Sequence, residues 1–403
     1  MEKTVPPHVP RELVRDFDMY GYPANEWDVP QNLYRQVRAE GMPEIFWSPY
    51  NGGHWVITRA SIIEEVIDNS DHFSNRYVGL PKHLNPARIF RPFQQDPPDS
   101  VPFRHLLAGL LTKQIVAAGR DAVQELAIEL IEGFKPRGQC EFVIDFAQHL
   151  PIRMFMAIMS IPEEDRKPLL AIAEKISRPK YPDQRLEGYA EMDDYSLKLI
   201  EERRDGPEDD IVAKLCRAEI DGRKLNEEEL LGVLGLLLIA GLDTVSGMLG
   251  FFVQHLARHP EQRREIRDNP DLIPNAVEEL LRRYAHTTLT REVRVDLNLR
   301  GVEMREGDMM AVPLVLHNVD EEKFEDPFRV DFTREQLSSN VAFGGKVHRC
   351  LGALLARTEL RVFLEEWLNR IPEFSIAPGA QPKINSRVTT INQVLPLVWE
   401  TGT

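Results

Sequence analysis

The stretch FGGKVHRCLG, residues 343–352, sets two glycines and a lysine before a lone cysteine, and the helical run ALLARTELRVFLEEWL follows it. A cysteine is a strong metal ligand only as thiolate, and a helix N-terminus favours thiolate because its unpaired N–H groups and dipole stabilise negative charge. Cys350 holds such a place. Phe343 offers an apolar shield, Gly344 and Gly345 a backbone that bends freely, and Gly352 close approach to the first helical turn. Read alone, the loop also fits a buried structural cysteine beside a turn.

The other two cysteines, Cys140 and Cys216, lie far away in the chain, and no C-x-x-C is present. Neither a disulfide framework nor a cysteine zinc site is expected, and a reducing cytosol fits best. A formal charge of −15 argues against generic binding to nucleic acid or to an anionic membrane. The N-terminal stretch MEKTVPPHVPRELVRDFDMYGYP has no basic segment leading into an apolar one, so neither signal peptide nor membrane anchor is expected. One apolar run, residues 230–253, is long enough to span a membrane; Asp243 near its middle and three glutamates before it predict a buried helix of a soluble protein instead.

Residues 44–59, EIFWSPYNGGHWVITR, read as two strands around an Asn-Gly turn. Further extended segments are expected at 293–313 and 391–399. Helical patterns dominate elsewhere, at 103–135, 144–159, 163–177, 186–204, 226–257, 260–268 and 272–284. Asn226 and Glu229 have capping-box spacing, and the helix they open would run about 45 Å, long enough to cross a domain. The prediction is a mainly α chain with a smaller β part, α+β by class, forming a single domain over 1–403 with β-rich parts at about 44–60, 293–313 and 380–400.

Within the long apolar helix, AGLDT (240–244) places an acid beside a hydroxyl. Burying a carboxylate is unfavourable by several kcal/mol unless it is paired. Two readings follow: a functional acid, or a structural one in a buried salt bridge with Thr244 bonding back to its own helix. In EELLRR, Glu279 and Arg282 are three apart and share a helix face, as many surface pairs do.

These segments together resemble the cytochrome P450 family. FGGKVHRCLG is similar to its haem-binding loop, roughly Phe-Gly-x-Gly-x-x-x-Cys-x-Gly, EELLRR to its Glu-x-x-Arg pair, KFEDPFRVDFTRE to the meander after it, and AGLDT to its acid-threonine pair. FDMYGYP, NGGHWVITR, PIRMFM, IPEFSIAPGAQ and LPLVW add likeness to the bacterial camphor 5-monooxygenase group. The resemblance implies a P450 fold with haem b enclosed between the long central helix and the Cys-loop helix. Cys350 would be the axial thiolate, shielded by Phe343. His348, Arg104 and Arg291 would meet the haem propionates. Asp243 and Thr244 would handle protons, with Gly241 leaving room above the iron. Glu279 and Arg282 would tie their helix to the meander. One departure is that the loop's second pattern glycine is Lys346; were φ positive there, a lysine would add strain of about 1–2 kcal/mol.

The activity implied is monooxygenation with O2 and two electrons. No dinucleotide fingerprint or appended redox domain is visible, so the expected electron donor is a [2Fe–2S] ferredoxin with an NAD(P)H-dependent reductase, docking on Lys346, Arg349 and Arg104. Leu236, Ile239, Val388 and Thr389, with the more polar His286 and Thr287, would line the substrate pocket. Arg88 stands where camphor hydroxylases carry the tyrosine that fixes the ketone, so the expected substrate is a terpenoid or norisoprenoid other than camphor. Other readings are a non-catalytic haem-binding sensor and a peroxide-driven peroxygenase; a passive haem site has no need of a buried acid beside a hydroxyl.

Overall fold

A computed structural model describes residues 3–21 and 26–401. Met1, Glu2 and the Tyr22–Pro23 end of FDMYGYP lie outside the described residues. The chain divides into two compact units, each drawn from separated segments: residues 1–85, 274–350 and 381–393, and residues 86–273, 351–380 and 394–403.

In the first unit the expected hairpin forms from Ile45–Ser48 and His54–Ile57, antiparallel with Trp47 opposite Trp55. Asn51, Gly52 and Gly53 all have positive φ, the turn geometry that asparagine and glycine tolerate best. The sheet continues through Met309–Pro313, Thr288–Val293 and Phe73–Ser74 in that spatial order. The extended region therefore starts at Thr288, ahead of the expected 293, and a further hairpin of Lys383–Ser386 and Thr390–Val394 lies within the late β-rich part.

The second unit is mainly helical, with a three-stranded sheet of Ser375–Ile376, Pro396–Val398 and Gln139–Glu141. The pattern expected as one helix over 103–135 is three, Ser100–Leu110, Lys113–Ala118 and Arg120–Phe134. Thr112 leaves the helical region and its hydroxyl caps the Ile115 N–H, and Gly119 ends the short middle piece, so capping outweighs the continuous apolar period. The central helix starts in the expected capping box, with Asn226 and Glu229 bonded reciprocally at 2.9 Å. It is not continuous: Glu227–Leu242 and Thr244–Arg258 meet at Asp243, which is non-helical, while the Thr244 hydroxyl donates to the Ala240 carbonyl at 3.1 Å. That hydroxyl competes for a carbonyl which an unbroken helix would give to a backbone donor.

The Ala353–Arg370 helix is held within this unit by aromatic packing. Trp367 meets Phe142 edge-on at 5.1 Å, and Phe134, Phe146, Phe363 and Phe374 close around it. Arg120–Glu365 and Arg370–Glu132 ion pairs flank the cluster.

Candidate active site

The cysteine loop belongs to the first unit. Its ends are tied by the Cys350 N–H, which donates to the Phe343 carbonyl at 2.9 Å, and Gly344 turns the chain at φ +79° while donating to Val341 at 2.8 Å. Lys346 is not in the left-handed region, so the strain foreseen for it does not arise. Its N–H instead donates to Asp68 Oδ1 at 2.8 Å, and its ammonium lies 3.2 Å from Asp68 Oδ2. A Cβ on Gly345 would stand 2.6 Å from the same Oδ1, so this glycine is what admits the carboxylate.

Cys350 is exposed, whereas burial pushes up the thiols of Cys140 and Cys216 and keeps them protonated. Among the described residues no group of three or more His, Cys, Asp or Glu could hold a metal ion. A single accessible thiol of this kind fits an iron whose equatorial ligands come from a macrocycle. Phe343 and His348 are half-buried, and Lys346 and Arg349 are exposed.

Arg291 lies in the Thr288–Val293 strand, 1% exposed, bonded to the Asn75 side chain and to the Thr290 carbonyl. Two expected pocket segments meet here. Thr287 and Thr389 form a bridge, Thr288 N–H donates to Val388 O at 2.8 Å, and Thr390 N–H to His286 O at 2.7 Å. Glu279 and Arg282 are fully buried and bidentate at 2.7 and 2.9 Å. Arg282 also donates to the carbonyls of Asn318, Pro327 and Arg329, and Glu279 accepts from the Asp331 N–H, so the pair laces its helix to the 318–331 stretch.

In the second unit, Arg178 donates to Asp243 Oδ1 at 2.8 Å, and Asp243 Oδ2 is buried with no close hydrogen-bond partner among the described residues. Burial pushes the Asp243 carboxyl above the ordinary range against the opposing pull of Arg178 and Ser177. The salt bridge and the Thr244 back-bond are the geometry that the packing reading foresaw; the unpartnered Oδ2 is not. Leu236, Ile239, Gly241 and Thr244 are half-buried in a helix otherwise buried from Glu229 to Leu256 apart from the 236–245 stretch. A Cβ on Gly241 would meet the Phe155 ring at 2.5 Å, so the missing side chain admits Phe155, a different reason for glycine from room above a metal.

Arg88 is held through its Nε by Asp193 Oδ2 at 3.2 Å, and two residues on, Phe90 packs where a Cβ on Gly235 would be 3.0 Å away. Arg104 is half-buried in Ser100–Leu110. Sequence reading missed Asp68, Arg178, Asp193 and Phe155. Only Arg178 had a signal, since a buried acid requires a cation, but nothing in the spacing said which one.

The chain matches the family model described as Cytochrome P450 over residues 165–394. It is 33% identical over 394 residues to probable cytochrome P450 127A1 of Sinorhizobium fredii (strain NBRC 101917 / NGR234), covering 94% of this chain and 92% of that one. Two solved structures superpose with TM-scores of 0.90. These are cytochrome P450 CYP101C1, at 36% identity, and CYP101J2, at 34%, each covering 99% of this chain and 100% of the other.

Proposed function

Since this chain belongs to the cytochrome P450 family and is a haem-b monooxygenase of that fold, we propose that it hydroxylates a small, mostly apolar terpenoid or norisoprenoid, with electrons from a [2Fe–2S] ferredoxin and its NAD(P)H-dependent reductase. The observation that carries the reading is the break in the central helix at the buried acid Asp243, which has no close partner on Oδ2 among the described residues and is followed in sequence by the hydroxyl of Thr244.

Haem supplies dioxygen binding and oxygen-atom transfer, and thiolate donation assists O–O cleavage. Cys350 would hold the iron and Phe343 would shield the sulfur. Arg104, Arg291 and His348 would each offer a charge-assisted bond to a propionate. Asp243 Oδ2 would relay a proton toward Thr244 Oγ1, and burial, which raises the carboxyl's affinity for protons, favours that role. By the family resemblance, Leu236, Ile239 and Arg88 in the second unit, and His286, Thr287, Val388 and Thr389 in the first, would each contact substrate. Lys346 and Arg349, both exposed, receive the acidic ferredoxin together with Arg104. By the family resemblance, the chain would act as one catalytic domain in the cytoplasm.

The test is oxygen consumption with NADH, ferredoxin and reductase, alongside peroxide alone, after a terpenoid panel has been screened by Soret shift. Ferredoxin-supported turnover of a ligand that shifts the Soret band is expected. Turnover with peroxide only, or no Soret response to any terpenoid, overturns the reading.

A further inference from the structure

The acid at position 68 has no local reason to be there. It ends the helix Ala60–Asp68, where a negative charge opposes the helix dipole, and a cation or neutral residue would serve the helix better. What it faces is the cysteine loop. One oxygen accepts the Lys346 N–H at 2.8 Å and the other lies 3.2 Å from the Lys346 ammonium. Gly345 is bare on the side where a Cβ would meet Oδ1 at 2.6 Å and the Ile67 side chain at 2.8 Å. Two of the contacts that hold the loop lie at opposite sides of it. The Cys350 N–H to Phe343 O bond closes it at its base, and the Asp68 carboxylate holds its far side, four residues before the sulfur.

We infer that Asp68 is a positioning residue for Cys350, holding the loop at Lys346 so that the sulfur keeps the place and backbone environment in which the thiolate is favoured. The inference rests on the haem-thiolate reading of Cys350. An eight-residue loop closed only at its base can still tilt about that closure; anchoring the opposite side removes the freedom. Lys346 neutralises the anchoring carboxylate, so Asp68 holds the backbone without adding net negative charge beside the loop. This gives the lysine at a glycine position of the family's pattern a use within the chain.

The experiment is a pH titration of the reduced, carbon-monoxide-bound holoprotein, following conversion of its thiolate-type Soret band to the thiol type, in wild type, Asp68→Asn and Asp68→Ala. Asparagine keeps an acceptor for the Lys346 N–H but loses the charge-assisted strength, and alanine loses the bond. The thiol-bound fraction at fixed pH is expected to rise about 2-fold in Asp68→Asn and about 5-fold or more in Asp68→Ala, in that order. Lys346→Ala, which keeps the backbone bond, is expected to stay within about 2-fold of wild type. A general loss of stability would lower the thermal midpoint without moving this titration.

Wild-type titration behaviour in both Asp68 variants overturns the inference, and where Asp68→Ala does not fold, Asp68→Asn alone decides it. Absence of a thiolate-type band in wild type would instead overturn the haem-thiolate reading. Exchange of the Lys346 amide proton separates the two failures: it should quicken at least about 5-fold in Asp68→Asn if the anchor exists, whatever binds Cys350.

Discussion

Arg178 and Asp243 meet at 2.8 Å with both side chains about nine-tenths buried, yet burial still wins and the carboxyl is pushed above its ordinary range. A pair built for stability alone would satisfy both carboxylate oxygens; Oδ2 makes no close hydrogen bond among the described residues, although the nearby Ser177 hydroxyl still pulls the carboxyl down. Replacing the acid with Asp243→Asn keeps the shape and removes the titrating proton. Ferredoxin-driven turnover should fall by about 100-fold, with a larger solvent isotope effect and little change in the substrate-induced Soret shift. A fall of less than about 3-fold would leave Asp243 a structural residue.

The Glu279–Arg282 pair is the opposite case, since among the described residues its partners are main-chain or charged groups and both side chains are inaccessible. Removing one partner strands a buried charge. Arg282→Ala should lose about 3–5 kcal/mol in denaturant unfolding and yield little folded protein. Arg282→Lys should recover only part of that loss, because an ammonium cannot reach the carboxylate in bidentate fashion and three carbonyls together.

Gly241→Ala tests why the central helix carries a glycine one turn before Thr244. The new Cβ would meet the Phe155 ring at 2.5 Å, so the substitution should destabilise by about 1–3 kcal/mol. Adding Phe155→Leu should return most of it. If the double variant is no better than the single one, the glycine serves something other than this close approach.

Local chemistry was the legible part of this chain. The Asn-Gly turn, the Asn226–Glu229 cap and the Cys350 loop are each written within ten residues, and each forms. Thr112 was equally local but was outweighed in reading by the continuous apolar period around it. Long-range partners were not legible. Asp68 reaches Lys346 across 278 positions and Arg178 reaches Asp243 across 65, and an exposed-looking acid or arginine carries no mark of which distant group the fold brings to it. Gly241 shows the same limit from the other side: the absence of a side chain was visible, but the neighbour requiring it was not.

Ferredoxin docking is best tested at Arg349. Lys346→Glu would also set an acid against Asp68, confusing a docking defect with a displaced loop. Arg349 is exposed, and Arg349→Glu should raise the ferredoxin KM by about 5-fold or more, with a steeper loss at low ionic strength and an unchanged substrate-induced Soret shift. An unaltered KM would place the docking face elsewhere.

Glu359, in the Ala353–Arg370 helix, is buried, its Oε2 has no partner among the described residues, and burial alone pushes its carboxyl up to about 8. The folded state therefore keeps this proton at a pH where the unfolded chain has released it. Stability contributed by the neutral form is complete below the ordinary glutamate range and declines as pH rises from there to about 8. Glu359→Gln cannot ionise and should remove the decline. Its unfolding free energy should match wild type to within about 1 kcal/mol in mild acid and exceed it by on the order of 2 kcal/mol above neutrality. Parallel curves for the two proteins between mild acid and mild alkali would mean that Glu359 already has a compensating cation or is ionised when folded.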